Sequence, residues 1–227
     1  TPGRTTRGRT PSAFSATSQS KRKRANRRSA FAEFDQAWRD DPGTLPCLRP
    51  RIAFRDVTNR TNRRTVIAAL VPPRVWLVHN SPFFLLPRGD EWDEAFLLGL
   101  LSSIPLDWYA RRFVETHLTY FVINPFPVPR PGRDSPLRDR VIALAGRLAA
   151  QDERFADWAG KLGVAYGPID PDEKQDHIRE LDAVAAHLYG LTESQLVHIF
   201  ETFHEGWDHE ERLRAALHHF RAWKGDQ

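Results

Sequence analysis

The 227-residue chain contains no methionine and only one cysteine. Translation starts at methionine, so a sequence opening at Thr1 is expected to be a processed or trimmed product, or part of a longer chain. A single thiol permits no internal disulfide and no cysteine-built zinc cluster, which fits a reducing cytoplasm. Cys47, flanked by Pro46 and Leu48 with no histidine near it in sequence, reads as a buried apolar residue and not as a nucleophile. Long apolar runs are also missing: the best candidates are broken by Pro, Asp or Arg within about ten residues, which excludes a membrane-spanning helix. No signal peptide and no internal repeat is visible. Lysine is scarce beside arginine, a bias that a GC-rich genome would produce as readily as chemistry.

What remains suffices for a globular body. Hydrophobic residues make up 41% of the chain and there are seven tryptophans, enough for one large domain or two small ones. The net charge of +4 hides a gradient. Residues 1–28 carry nine Lys or Arg and no acid; residues 29–169 carry eighteen basic and sixteen acidic side chains; residues 170–227 carry six basic and thirteen acidic ones. A basic head and an acidic tail suggest one region facing a polyanion and another facing solvent or protein.

The organisation follows that gradient. Residues 1–30 are poor in apolar side chains and end in Lys21-Arg22-Lys23-Arg24-Ala25-Asn26-Arg27-Arg28. Alone they are expected to be disordered, a solvated arm that orders only against DNA or another part of the protein. Residues 31–169 read as a mixed strand–helix core. Phe31, Phe34 and Trp38 mark a short amphipathic helix over 29–39, stopped by Asp40-Asp41-Pro42-Gly43. Strands are expected over 52–57 and 66–71, two more within 75–86 around the turn His79-Asn80-Ser81-Pro82, and another over 118–123. A helix over 90–116 should be kinked or divided by Pro105, and 124–131, rich in proline, should be extended and irregular. From Leu137 the apolar period is helical, and Thr192 with Gln195 forms a capping box. Residues 170–227 form the helical C-terminal segment. The class is α+β: a mixed strand–helix core followed by helices.

Within the mixed core, residues 49–64 hold six arginines (Arg49, Arg51, Arg55, Arg60, Arg63, Arg64) against one acid, Asp56. They lead directly into the apolar segment Val66-Ile67-Ala68-Ala69-Leu70-Val71, then Pro72-Pro73. A loop pinned to a buried strand is a sound way to present guanidinium forks to phosphates and guanine edges. Arg49, Arg51, Arg55 and Arg60 are hard to explain structurally, because such density repels itself unless a polyanion or several acids stand opposite. Asn62, Arg64 and Thr65 read two ways: DNA contact, or fold-holding roles with Arg64 paired to an acid at the core edge. Trp76, Phe83 and Phe84 read first as core residues; among the aromatics they are also the better candidates for packing against bases or sugars.

Arg55-Asp56-Val57-Thr58 followed by residues 62–72 (NRRTVIAALVP) resembles the target-recognition region of large bacterial N6-adenine DNA methyltransferases, including type IIG-like restriction–modification enzymes and methylases of phage-defence systems. Two further blocks carry the resemblance: residues 95–112 (AFLLGLLSSIPLDWYARR) with the proline-rich exit at 125–129, and residues 178–203 (IRELDAVAAHLYGLTESQLVHIFETF). They lie in the order the family has them, between residues 55 and 203 of the 227. The resemblance implies a target-recognition domain over 31–169 that docks duplex DNA for a catalytic domain upstream. It implies S-adenosylmethionine bound by that missing domain and no cofactor in this chain. It also implies DNA contacts from Arg49, Arg51, Arg55, Arg60, Asn62, Arg63 and Arg64, and further partners among the subunits of a defence system. The parent would be a cytoplasmic, S-adenosylmethionine-dependent enzyme, the fragment itself non-catalytic.

Motifs elsewhere fail on spacing or order. Asn124-Pro125-Phe126-Pro127 follows an apolar run as the family's Asn/Asp-Pro-Pro-aromatic motif does, but proline and phenylalanine are exchanged, so no ring is offered to a flipped base. Gly160, Gly163 and Gly167 lie between helical segments, not at a strand-to-helix turn. Pro171-Asp172-Glu173-Lys174 places nuclease-like residues contiguously before a helix, where acids are ordinary first-turn residues. His204 and His209 are five residues apart with Gly206 between them, unlike the i, i+4 pair of a zinc helix. The alternative from another class is a protein-interaction module, whose acidic helical tail and apolar helix faces dock a partner subunit of a defence complex.

Overall fold

The computed structural model describes residues 30–224. The basic arm expected to lack order, residues 1–30, lies outside them except for Ala30. A 3-10 turn, Ala30–Glu33, precedes the one-turn helix α1, Gln36–Asp40. These replace the single helix expected over 29–39, because the Asp35 carboxylate accepts from Trp38 N at 2.7 Å and starts a new helix there. Cys47 is buried, as expected. Strand β1 (Arg51–Phe54) pairs antiparallel with β2 (Ala68–Val71), in a register from Arg51↔Val71 to Phe54↔Ala68. All four β1 residues are buried because its other edge is occupied as well: Phe54 N donates to the Pro82 carbonyl and Phe84 N to that of Ile52, each at 2.9 Å.

Helix α2 (Glu91–Ser102) opens on a capping box between Asp90 and Asp93. Ser103 is extended, and α3 (Ile104–Ala110) starts afresh with Pro105 in its first turn, where a missing N–H costs nothing. The helix expected over 90–116 is thus divided at Ser103 and stops at Ala110. Beyond it come α4 (Tyr120–Ile123), α5 (Pro136–Ala149), α6 (Ala156–Leu162), α7 (Pro171–Leu188), α8 (Glu193–Glu201) and α9 (Glu210–Lys224). The expected capping box of Thr192 and Gln195 opens α8. Helices α2, α5, α7 and α9 pack in that succession, each against the next. Leu181, Val184 and Ala185 of α7 join the core built on β1, α2 and α5, while Ala183 and Ala186 join a second cluster with Ile104, Leu196, Phe200 and Phe220. One helix therefore serves both clusters. The fold is α+β, with nine α-helices and one two-stranded sheet among the described residues. None of these helices is long and apolar enough to cross a membrane.

The strand expectations need correction: β1 runs over Arg51–Phe54 and not 52–57, with Val57 forming only an isolated bridge to His117. The segment 75–86 forms only an isolated bridge, Phe83 to Ala53, because Trp76 and Val78 are 70% and 66% exposed and offer no buried face to hold a ladder. Residues 66 and 67 stay out of β2 because the N–H groups of Thr65 and Val66 are committed to the Asp107 carboxylate. Residues 118–123 contain the one-turn helix α4 instead of a strand. Leu118 and Ile123 are its buried anchors, and their odd spacing would put them on opposite faces of a strand. The proline-rich segment that follows is irregular, as read from the sequence.

Two tests follow from the packing. At Gly99 a Cβ would lie 2.5 Å from Val141 Cγ1 and 3.2 Å from Ala145 Cβ, whereas Gly160 has nothing within 4 Å. Gly99→Ala should destabilise by about 1–3 kcal/mol through overpacking of α2 against α5. Gly160→Ala in α6 should stabilise by up to about 1 kcal/mol; urea denaturation reads both. Glu94, bonded to the Trp158 indole at 2.9 Å, has its pKa pushed by burial from the ordinary 4.5 up to about 7. The unfolded chain loses this proton first as pH rises, so the stability contributed at low pH should decline between about 4.5 and about 7. Glu94→Gln should flatten the denaturation midpoint across that interval; an unchanged slope would count against the assignment.

Candidate functional site

The segment between β1 and β2 is a self-bonded loop seated on α3. Thr58 Oγ1 donates to the Thr65 carbonyl at 2.8 Å and Thr65 Oγ1 to the Asn59 carbonyl at 3.1 Å. The Asn59 side chain accepts from the backbone of Thr61 and Asn62, each at 3.0 Å. These short polar side chains close turns that the backbone alone would leave open.

Asp107 on α3 and Arg111, the residue that caps its C-terminal end, hold this loop from below. Asp107 is wholly buried. It accepts from Thr65 N at 3.0 Å and Val66 N at 3.1 Å, and it forms an ion pair with Arg64. Arg111 directs its fork at main-chain oxygens: Nη1 to Arg60 at 2.6 Å, Nη2 to Asn62 at 2.8 Å and to Arg63 at 3.0 Å. Burial pulls the pKa of Arg111 down, and Asp107 counters that only from 3.9 Å. Two guanidinium groups share one carboxylate, so this triad leaves one net positive charge beneath the loop.

The sequence-predicted arginines divide by direction. Arg51, expected outward, is buried: Nη2 donates to the Val75 carbonyl at 2.6 Å and the guanidinium lies 5.0 Å from the Phe83 ring centre. Arg64 is turned inward to Asp107 and to the carbonyls of Ser102 and Ser103, the fold-holding alternative of the sequence reading. Thr65 is likewise internal. The Asn62 amide lies within the loop beside Thr58 Oγ1, and the orientation that satisfies its neighbours puts its oxygen toward Arg55 Nη2 at 2.9 Å and Asn59 N at 3.2 Å. Arg55, Arg60 and Arg63 are exposed on this loop. Arg55 is also fixed by Nε on the Val57 carbonyl at 2.7 Å, and its Nη1 has no acceptor among the described residues. Arg49 is exposed too but lies at the other end of β1, in a separate cleft of about 590 Å³ beside Trp38, Glu91 and Lys161.

Aromatic side chains divide in the same way. Phe84 packs on Phe54 at 5.1 Å, and Phe83 lies under Arg51. Trp76 remains outward, and Phe121 and Phe113, at 89% and 55% exposure, join it as exposed rings. Sequence reasoning missed Arg111 and Arg112, which follow Asp107 and Trp108 by four residues. That i, i+4 spacing was the available signal. Arg112 lies 4.4 Å from the Trp108 ring centre. His204, unsuited by spacing to a zinc helix, has its Nε2 2.9 Å from the Thr61 carbonyl, tying the segment after α8 to the loop.

Replacing Asp107 by Ala should strand Arg64 and two buried N–H groups, and cost about 3–5 kcal/mol. Hydrogen exchange at Thr65 and Val66 should accelerate before global unfolding. Protection at the wild-type level in a folded variant would show that the carboxylate does not hold the loop. No family model, curated protein or solved structure matches the chain.

Proposed function

We propose that this chain is the DNA-recognition portion of an adenine-specific DNA methyltransferase of restriction–modification or phage defence, docking duplex DNA for a catalytic domain outside the chain. The observation that carries this reading is the loop of 55–66. Its path is fixed by Asp107 and Arg111 through main-chain atoms, while three guanidinium groups, Arg55, Arg60 and Arg63, are left at its surface. A positively charged, pre-set loop suits the major groove, where arginine reads guanine through two parallel bonds. Each such contact is worth about 1–3 kcal/mol against the wrong base.

In this division of labour Arg49 contacts phosphate and the loop arginines reach base edges. Arg51, Asn62 and Arg64 act indirectly by holding the surface in place. S-adenosylmethionine belongs to the upstream catalytic domain, and the compartment is the cytoplasm, where the DNA is. The resemblance in residues 55–58, 62–72, 95–112, 125–129 and 178–203 supports the same assignment.

The second reading, a module docking a protein subunit of a defence complex, is favoured by the exposed rings of Trp76, Phe113 and Phe121. The two separate by salt: phosphate-driven binding weakens steeply as salt rises, while an apolar protein complex does not. Selection from a random pool of duplexes should enrich a motif with the wild-type chain and none with the Arg55→Ala/Arg60→Ala/Arg63→Ala variant. Enrichment of the same motif by a folded triple variant would sink the loop assignment.

A further inference from the structure

Beside the loop tip runs a groove of about 530 Å³, walled by Arg60 and Thr61 on one side and by residues 202–205 on the other. Trp108, Arg111 and Arg112 line it between those walls. Three cross-ties fix the walls. His204 Nε2 meets the Thr61 carbonyl at 2.9 Å, Trp108 Nε1 donates to Thr202 Oγ1 at 2.9 Å, and the Arg111 guanidinium lies 4.0 Å from the Phe203 ring centre. Little ordering remains to be done when a ligand arrives.

The charge in this groove is one-sided. Arg60 and Arg112 are exposed, with no carboxylate partner among the described residues. Arg111 adds the uncompensated charge of the buried triad, and Glu205 is the lone acid in the lining. Stacking on Trp108 holds the Arg112 guanidinium against an aromatic plane, the arrangement in which arginine keeps its donors for an oxyanion. Arg60 belongs to both loop and groove, so the exposed positive surface of the loop is continuous with that of the groove.

We propose that this groove binds the sugar–phosphate backbone of DNA, with Arg112 as its principal phosphate donor and Glu205 as an opposing charge at its rim. The proposal rests on the DNA-docking reading above and adds a contact that carries affinity without sequence information. It also gives the acidic C-terminal helical segment a part in DNA binding, through the 202–205 wall.

The test measures duplex binding by the full chain over a salt series, using one duplex enriched by selection and one scrambled duplex. Arg112→Ala should weaken both to a similar degree, roughly three- to ten-fold, and should reduce the slope of log K against log salt by about one. Arg112→Lys should keep the slope, since it keeps the charge. Glu205→Gln should tighten both duplexes. If the wild-type chain binds no duplex, the docking reading falls and takes the groove with it. If the wild type binds while Arg112→Ala and Glu205→Gln change neither affinity nor slope, the groove assignment alone is wrong. Weakening confined to the enriched duplex would also overturn it, by making Arg112 a base reader.

Discussion

One buried carboxylate organises the surface of interest. Asp107 takes two backbone N–H groups and the Arg64 guanidinium, and it is what seats residues 64–66, the stretch that leads the loop into β2. A lone charge in such a place would be costly; here donors surround it, which makes the burial tolerable. The same logic recurs one layer deeper. Asp182 of α7 accepts from Ile104 N at 2.8 Å, supplying a partner to a helix start that has no side-chain cap of its own. It is paired in turn with Arg212 of α9 at 2.6 Å. Helix α3 is thus held by a carboxylate from the helical bundle at its beginning and holds the loop with its own carboxylate further along.

Much of this fold was legible where apolar period and capping chemistry agreed. The helices after Leu137, the Thr192 cap and the break near Pro105 follow from spacing and backbone chemistry alone. Strands were the weaker part. Residues 75–86 and 118–123 have strand composition, but Trp76, Val78 and Phe121 face outward, and composition does not say which side of a segment is buried. Nor does the sequence say that a carboxylate more than forty positions away will claim the N–H groups of Thr65 and Val66.

The candidate site was legible in location and only half legible in detail. Arginine density pointed to residues 49–64, yet density cannot separate a guanidinium that meets solvent from one that meets carbonyls. Arg51 and Arg64 are consumed internally because each reaches a cluster of main-chain oxygens at short range. Arg55, Arg60 and Arg63 lie where the loop turns away from the core. The helical segment at the C-terminus looked acidic as a whole, and its average concealed the contact of His204 with Thr61. Net charge over a long stretch is a poor guide to the sign of any one face.

The three bonds from Arg111 end on the carbonyl oxygens of Arg60, Asn62 and Arg63, atoms that every residue type possesses. The course of the tip is therefore indifferent to what the side chains at 60 and 63 are. Those two positions amount to interchangeable fittings on a constant frame, and chains that keep Asp107 and Arg111 could carry quite different side chains there without refolding the loop beneath them.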